Sequence, residues 1–195
     1  MGDCISKRDI NIMLVVSLFV LAAGIALGSV YLMKSDANAD AGLRSYLTSY
    51  ISGAQNGMDK AAVMKKALGR NMVYLLLVFV SGFFRAGALL AAYAIVKKGF
   101  VMGFTAAACI KIFGLKGIWV TAAMLPGIAV MIPSFLIFSS ISTDLALNPE
   151  KRQKKIIISY IFFALLILTI FCVAAICEGY LTTIFMKWLS PKLIQ

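Results

Sequence analysis

The chain has 195 residues, of which 62% are hydrophobic and 14% charged, with a mean hydropathy of +0.94; soluble domains carry about 25% charged residues. This excludes a soluble globular domain and places the chain among integral membrane proteins. The net charge of +11, from 19 Lys and Arg against 8 Asp and Glu, lies mainly between apolar runs. It is not gathered into a basic patch with interleaved aromatics, so it points to topology and anionic head groups and excludes nucleic acid as a partner.

The apolar runs are apolar on every side and lack the alternation of a barrel strand. Lipid offers no partner for backbone polar groups, so the expected fold is an all-α polytopic membrane helix bundle. About five transmembrane segments with interfacial helices form a single membrane domain over 1–195. Histidine is absent, which removes the commonest general base and metal ligand. The four cysteines follow no disulfide or zinc spacing and read as small apolar side chains.

In chain order, the first span covers 10–33, about 24 apolar residues, enough for a hydrocarbon core of about 30 Å. Ala37-Asn38-Ala39 imitates a signal-peptidase site, but the run exceeds an h-region of about 7–15 residues, so an uncleaved anchor is expected. Gly24 and Gly28 make a GxxxG pair suited to close helix packing. Residues 34–70 are a polar amphipathic segment. In it, Leu43, Tyr46, Leu47, Tyr50 and Ile51 recur at helical spacing, and Asp59 is placed to cap a second helix carrying Lys60, Lys65 and Lys66. These read as interfacial helices, serving either as a packed connector or as a partner-docking surface.

The second span is read over 71–96, with Arg85 about 21 Å along it. An arginine at that depth costs at least about 2.5 kcal/mol and must face other helices, face a cavity or snorkel. Lys97-Lys98 then opens a glycine-laced third span over 99–113, short for a crossing that needs about 20 residues. Gly99 and Gly103 lie four apart on one smooth face. Beyond the turn flanked by Lys111 and Lys116, a fourth span over 118–143 is interrupted by Pro126 and Pro133. Proline removes a helical hydrogen bond, so a kinked or discontinuous helix is expected there. Asn148-Pro149-Glu150 has the form of a helix start. The basic cluster Lys151 to Lys155 after it is expected to hold that end in the cytoplasm. The last span covers 156–177 and closes at Glu178, followed by an interfacial helix over 180–190. The basic residues of the loops do not divide cleanly between two sides; their tight clusters favour a cytoplasmic N-terminus.

No catalytic constellation emerges. Asp144 and Glu178, the acids of the apolar half, sit at span ends and cannot share general acid/base work on one bond. No cofactor or metal is expected, and the chain is not expected to be an enzyme.

Lys98-Gly99-Phe100-Val101-Met102-Gly103-Phe104-Thr105, then Gly114, Gly117, Pro126 and Ile132-Pro133, and finally Glu178-Gly179-Tyr180 with a hydrophobic tail, together resemble the stage II sporulation protein M family. These are small multi-pass membrane proteins of endospore-forming bacteria. The resemblance covers nearly the whole chain and is most specific at 97–137 and 174–189. Arg85 falls where the family pattern is uncharged, so no role carries over to it. The resemblance implies a non-enzymatic membrane component of the engulfment complex, sited in the septal and engulfing mother-cell membrane. Its implied partners are stage II sporulation proteins D and P, which cut peptidoglycan and would be recruited and held by this chain. The alternative is a permease-like or channel subunit working with a separate ATPase, prompted by the interrupted fourth span and Arg85. A third idea makes the complex responsive to membrane lipids through Lys60, Lys65 and Lys66. The residues singled out for structural or partner-binding roles are Gly99, Gly103, Pro126, Pro133, Arg85 and Glu178.

Overall fold

The structure, a computed structural model, describes residues 7–35, 41–49, 60–177 and 180. Its helices are α1 (Lys7–Met33), α2 (41–49), α3 (Lys60–Ser81), α4 (Gly87–Phe113), α5 (Lys116–Leu147) and α6 (Lys154–Cys177), with a 3₁₀ turn at Pro149–Lys151 before α6. The all-α bundle expected from composition is present. Among the described residues four segments are long and apolar enough to cross a membrane: Asn11–Met33, Gly87–Phe113, Gly127–Leu147 and Lys154–Ile176.

The middle of the chain differs from the sequence reading. No helix covers 71–96: α3 stops at Ser81, residues 82–86 turn, and α4 runs without a break from Gly87 to Phe113. The short third span therefore disappears, and the lysine pair read as a loop sits inside α4. The break is feasible because its backbone groups find partners. Of the last four carbonyls of α3, Val78 accepts from the Ser142 hydroxyl at 2.7 Å and Phe79 from the Tyr160 hydroxyl at 3.0 Å. Val80 and Ser81 accept from the amides of Phe83 and Phe84. Within the turn, Phe83 accepts from Arg152 Nη1 at 2.9 Å, and Phe84 from the Gly87 amide.

Arg152 acts at a second helix end too. Its Nε and Nη2 donate to the carbonyls of Leu145 and Ala146, near the C-terminus of α5, where the helix dipole favours a cation. Asn148 stands at the N-cap position of the 3₁₀ turn, as the helix-start reading expects, but its side chain makes no capping bond there. Its amide group donates to the Asp144 carboxylate at 2.8 Å and to the Asp144 carbonyl, closing α5. Pro149 opens the 3₁₀ turn, and α6 starts only at Lys154.

Contacts along the helices set their directions. α1 and α4 run parallel, since Gly24 meets Val96 and Gly99 while Gly28 meets Phe100 and Phe104. α5 returns antiparallel after Gly114, whose φ of 59° is the one left-handed backbone among the described residues and is open to glycine without strain. α3 runs parallel to α5, with Tyr74 against Phe135 and Ser81 against Ser142, and α6 comes back past Phe138 with Tyr160. One end of the bundle thus gathers the start of α1, the 82–86 turn and the α5–α6 link. The other gathers the ends of α1 and α4, the start of α3 and the end of α6.

Polarity is inverted relative to a soluble bundle. Phe19, Leu27, Ile158 and Phe162 are exposed, whereas Ser17, Asn71, Ser139, Ser140, Ser142 and Asp144 are buried. Without hydrophobic attraction between helices in lipid, close packing and interhelical hydrogen bonds must hold them. The most extensive contact is α1 with α4, and glycines make it. A Cβ added to Gly24 would lie 2.6 Å from the Val96 carbonyl oxygen, and one on Gly99 2.6 Å from that of Leu21. Side chains at Gly28 and Gly103 would strike the backbone of Phe100 and Ile25. These obstacles are main chain and cannot swing aside. The Ser29 hydroxyl, within 3.3 Å of the Gly103 carbonyl, spans the same seam.

Gly103→Leu should therefore destabilise the protein by about 1–3 kcal/mol or prevent its assembly. Gly69→Ala, on α3 with nothing within 4 Å of the new methyl, should be neutral or stabilise by up to about 1 kcal/mol. Thermal unfolding of both variants in detergent checks the opposite signs.

Candidate functional site

The residues singled out in the sequence do not converge. Gly99 and Gly103 lie in the α1–α4 seam. Pro133 is exposed on α5, which is helical without interruption through positions 126 and 133. The side chain of Pro126 and the whole of Glu178 lie outside the described residues, as does the 180–190 helix apart from Tyr180. Arg85 is exposed in the 82–86 turn, not deep in a span. The expectation of a mid-membrane arginine fails because the helix that would have carried it inward ends at Ser81.

Among the described residues the buried cation is Lys98 instead. It lies about 16 Å along α4 from Gly87 and is only 7% exposed. Its ammonium donates to Asn71 Oδ1 at 3.0 Å and stands 5.0 Å from the centre of the Tyr74 ring. Asn71, itself 1% exposed, sits where α3 changes from a basic first half (Lys60, Lys65, Lys66, Arg70) to an apolar second half. Neighbouring Lys97 takes a different course, over the Tyr93 ring at 5.8 Å. An ammonium at this depth costs about 2.5–3.5 kcal/mol on insertion scales; the amide oxygen and the aromatic face reduce that penalty.

Beside Lys98 is a cleft of about 290 Å³ between α2, α3, α4 and α5. Lys66 and Arg70, four apart on one face of α3, line it with Lys98, while Tyr46, Met102 and Met131 supply aromatic and apolar wall. Lys66 and Arg70 are exposed and Lys98 buried, so positive charge extends from the surface into the bundle. The arrangement can hold a negative group next to apolar surface.

A second polar centre lies towards the other end. The Ser81 and Ser142 hydroxyls are 2.7 Å apart, Tyr160 Oη is 3.2 Å from Ser142 Oγ, and Gly82 leaves room for the tyrosine, since an added Cβ would fall 2.9 Å from that oxygen. Its acceptors are the final carbonyls of α3, so this centre is structural. Among the described residues no group of three or more Cys, Asp or Glu side chains gathers as a metal site would require.

Sequence reasoning missed Lys98 because a lysine pair between apolar runs has the form of a loop. The available signal lay upstream, where Gly82 and Gly87 bracket Arg85 within Ser81–Gly87 and mark the true break. Arg152 was missed as a clamp because it folds back onto two carbonyls at the end of α5 while also reaching the Phe83 carbonyl, 69 residues away in sequence.

The Lys98–Asn71 contact should appear as coupling. Asn71→Leu alone should cost about 1–3 kcal/mol by stripping a charged donor of an acceptor. Combined with Lys98→Met, it should cost less than the sum of the two single changes. Thermal unfolding of the four proteins measures this, and strict additivity would refute the coupling.

Comparison with known proteins adds the family. No curated protein and no solved structure matches the chain. The family model described as Stage II sporulation protein M matches residues 17–183, a range that takes in the glycine seam, the 82–86 turn and the Lys98 cleft. The chain belongs to the stage II sporulation protein M family.

Proposed function

We propose that this protein is the non-enzymatic membrane component of an engulfment complex in a sporulating bacterium. It recruits and holds the peptidoglycan-cutting stage II sporulation proteins D and P in the septal and engulfing mother-cell membrane. Family membership over residues 17–183 is the observation that carries this reading. The fold agrees with it in kind: a bundle clamped by backbone-to-backbone contact is a stiff platform, and chemistry on the cell wall then belongs to the partners. The transport alternative has lost both of its motives. α5 is uninterrupted through both prolines, and Arg85 lies in an exposed turn.

The helix directions support a finer reading of the topology. We take the N-terminus, the 82–86 turn and the α5–α6 link to be cytoplasmic, and residues 34–70 and the Gly114 turn to face outward. The segments facing inward are short and carry Lys7, Arg8, Arg85, Arg152, Lys154 and Lys155 in tight groups, as cytoplasmic loops do. On this reading α3 brings the chain back across beside the four longer spans, making five passes. The outward segments are those positioned to meet wall-cutting partners.

Loss of the protein in a sporulating host should block engulfment and disperse both hydrolases from the septum, as followed by fluorescence microscopy; normal engulfment with normal hydrolase placement would sink the scaffold reading. In a background without native cysteines, Lys65→Cys and Lys116→Cys should react with an impermeant thiol reagent in intact cells. Arg85→Cys and Lys154→Cys should react only after permeabilisation. The reverse pattern would invert the orientation.

A further inference from the structure

Lys97 stands on the outside of the bundle, at a depth where lipid offers an ammonium no partner. It lies about 15 Å along α4 from Gly87 and about 24 Å before Phe113. The α1–α4 seam gives the same depth independently: Gly24, which meets Val96 and Gly99, lies about 21 Å from Ile10 and about 13 Å from Met33 along α1. In a hydrocarbon core of about 30 Å, both edges are farther off than a lysine reaches by snorkelling. Lys97 does not line the cleft beside Lys98, and its contact among the described residues is the Tyr93 ring, whose centre is 5.8 Å from the ammonium. Leu89, Tyr93, Lys97 and Val101 recur every four residues and form one exposed stripe on α4. We infer that this stripe is the docking surface for a membrane-spanning helix of another protein, one that carries an aspartate or glutamate at mid-membrane depth.

Charge complementarity identifies the occupant. An ammonium facing lipid is penalised, and a carboxylate brought against it in the same low-dielectric layer offsets the penalty for both groups. Tyr93, one turn away on the same face, adds a hydroxyl donor that a carboxylate accepts alongside the ammonium. Leu89 and Val101 flank this polar pair with exposed apolar surface, which suits the side chains of a helix otherwise adapted to lipid. Lipid itself is the wrong occupant, because the phosphates of anionic phospholipids lie in the head-group layers at the membrane edges. A second copy of this chain is wrong too. Of its eight acids, Asp144 alone falls within one of the four candidate spans, and it is 2% exposed. Two copies meeting on the stripe would also set one Lys97 against the other, and like charges repel strongly at low dielectric. A span from a different protein supplies the missing charge. The surface and its chemistry are independent of the scaffold reading, since any acid-bearing span satisfies them.

The test replaces Leu89, 77% exposed at one end of the stripe, with the photocrosslinking residue p-benzoylphenylalanine in the full-length protein. Cells of a sporulating host are irradiated intact, and adducts are mapped by mass spectrometry. The expected adduct is a membrane-spanning segment that contains an aspartate or glutamate. Lys97→Met should lower its yield at least about tenfold, as loss of a desolvated charge pair does, and Lys97→Arg should keep most of it. Lys97→Glu should abolish the adduct, and replacing the partner's carboxylate with lysine should restore it in that background. The same crosslinker at Phe162, 72% exposed on α6, should not yield this adduct. Lys97 is exposed, so the Lys97→Met protein is expected to unfold in detergent no lower than the wild type. Should it fall short, failure of the charge swap to restore the adduct overturns the proposal by itself. Adducts with phospholipid alone, adducts between two copies of this chain, a partner span without an acid, or a yield indifferent to Lys97→Met in a folded protein would each overturn it as well.

Discussion

The backbone contact between α1 and α4 is the constraint on which the rest depends. Four glycines, Gly24, Gly28, Gly99 and Gly103, bring two parallel helices close enough for main chain to touch main chain. In lipid the apolar side chains of these helices gain nothing by leaving one apolar medium for another, so dispersion over a close seam must supply the attraction. The position of α4 against α1 then determines where Lys98 points. With Gly99 and Gly103 turned towards α1, the preceding lysine on the helix is directed to α3, where Asn71 and Tyr74 receive it.

The turn at 82–86 is the complementary device. It ends α3 at one end of the bundle, and the carbonyls freed there are satisfied partly by local amides and partly by side chains from elements far away in sequence. Ser142, Tyr160 and Arg152 each reach a carbonyl of α3 or of the turn. Arg152 simultaneously closes α5, so one side chain ties two helix ends together. Although Arg152 shortly precedes α6 in the chain, its guanidinium lies at the C-terminus of α5, where the dipole attracts it. A membrane protein with few polar residues thus concentrates them where the backbone departs from helix.

These two devices leave the protein with a stiff interior and a cationic recess opening towards the end that carries the polar 34–70 region. In the sequence the lysines of that region belong to interfacial helices that read as a packed connector, a partner-docking surface or a lipid-responsive segment. Lys66 and Arg70 instead share a cleft with a buried lysine from another helix, and this is what distinguishes a site from a charged surface.

Much of the architecture was legible from residue type and spacing alone. Composition determines that the chain lives in a membrane and is helical, because no other structure with such apolar runs satisfies its backbone in lipid. The boundaries of α1 and the body of α6 follow from the lengths of their apolar runs, and Gly24, Gly28, Gly99 and Gly103 announce close packing by their four-residue spacing. What the sequence does not determine is which seam those glycines form, where the central region breaks, and which cation lies inside. Pro126 and Pro133 suggested a broken helix, yet α5 is continuous; Lys97-Lys98 suggested a loop, yet they lie mid-helix; Arg85 suggested an interior charge, yet it is exposed. In each case local propensity points one way and partners distant in sequence decide the outcome. Lys98 sits inside the bundle where an amide oxygen and an aromatic ring of α3 meet it, and α3 stops where hydroxyls of α5 and α6 and a guanidinium of the α5–α6 link take up carbonyls at the break. Those partners are brought together by tertiary packing, which no single stretch of sequence contains.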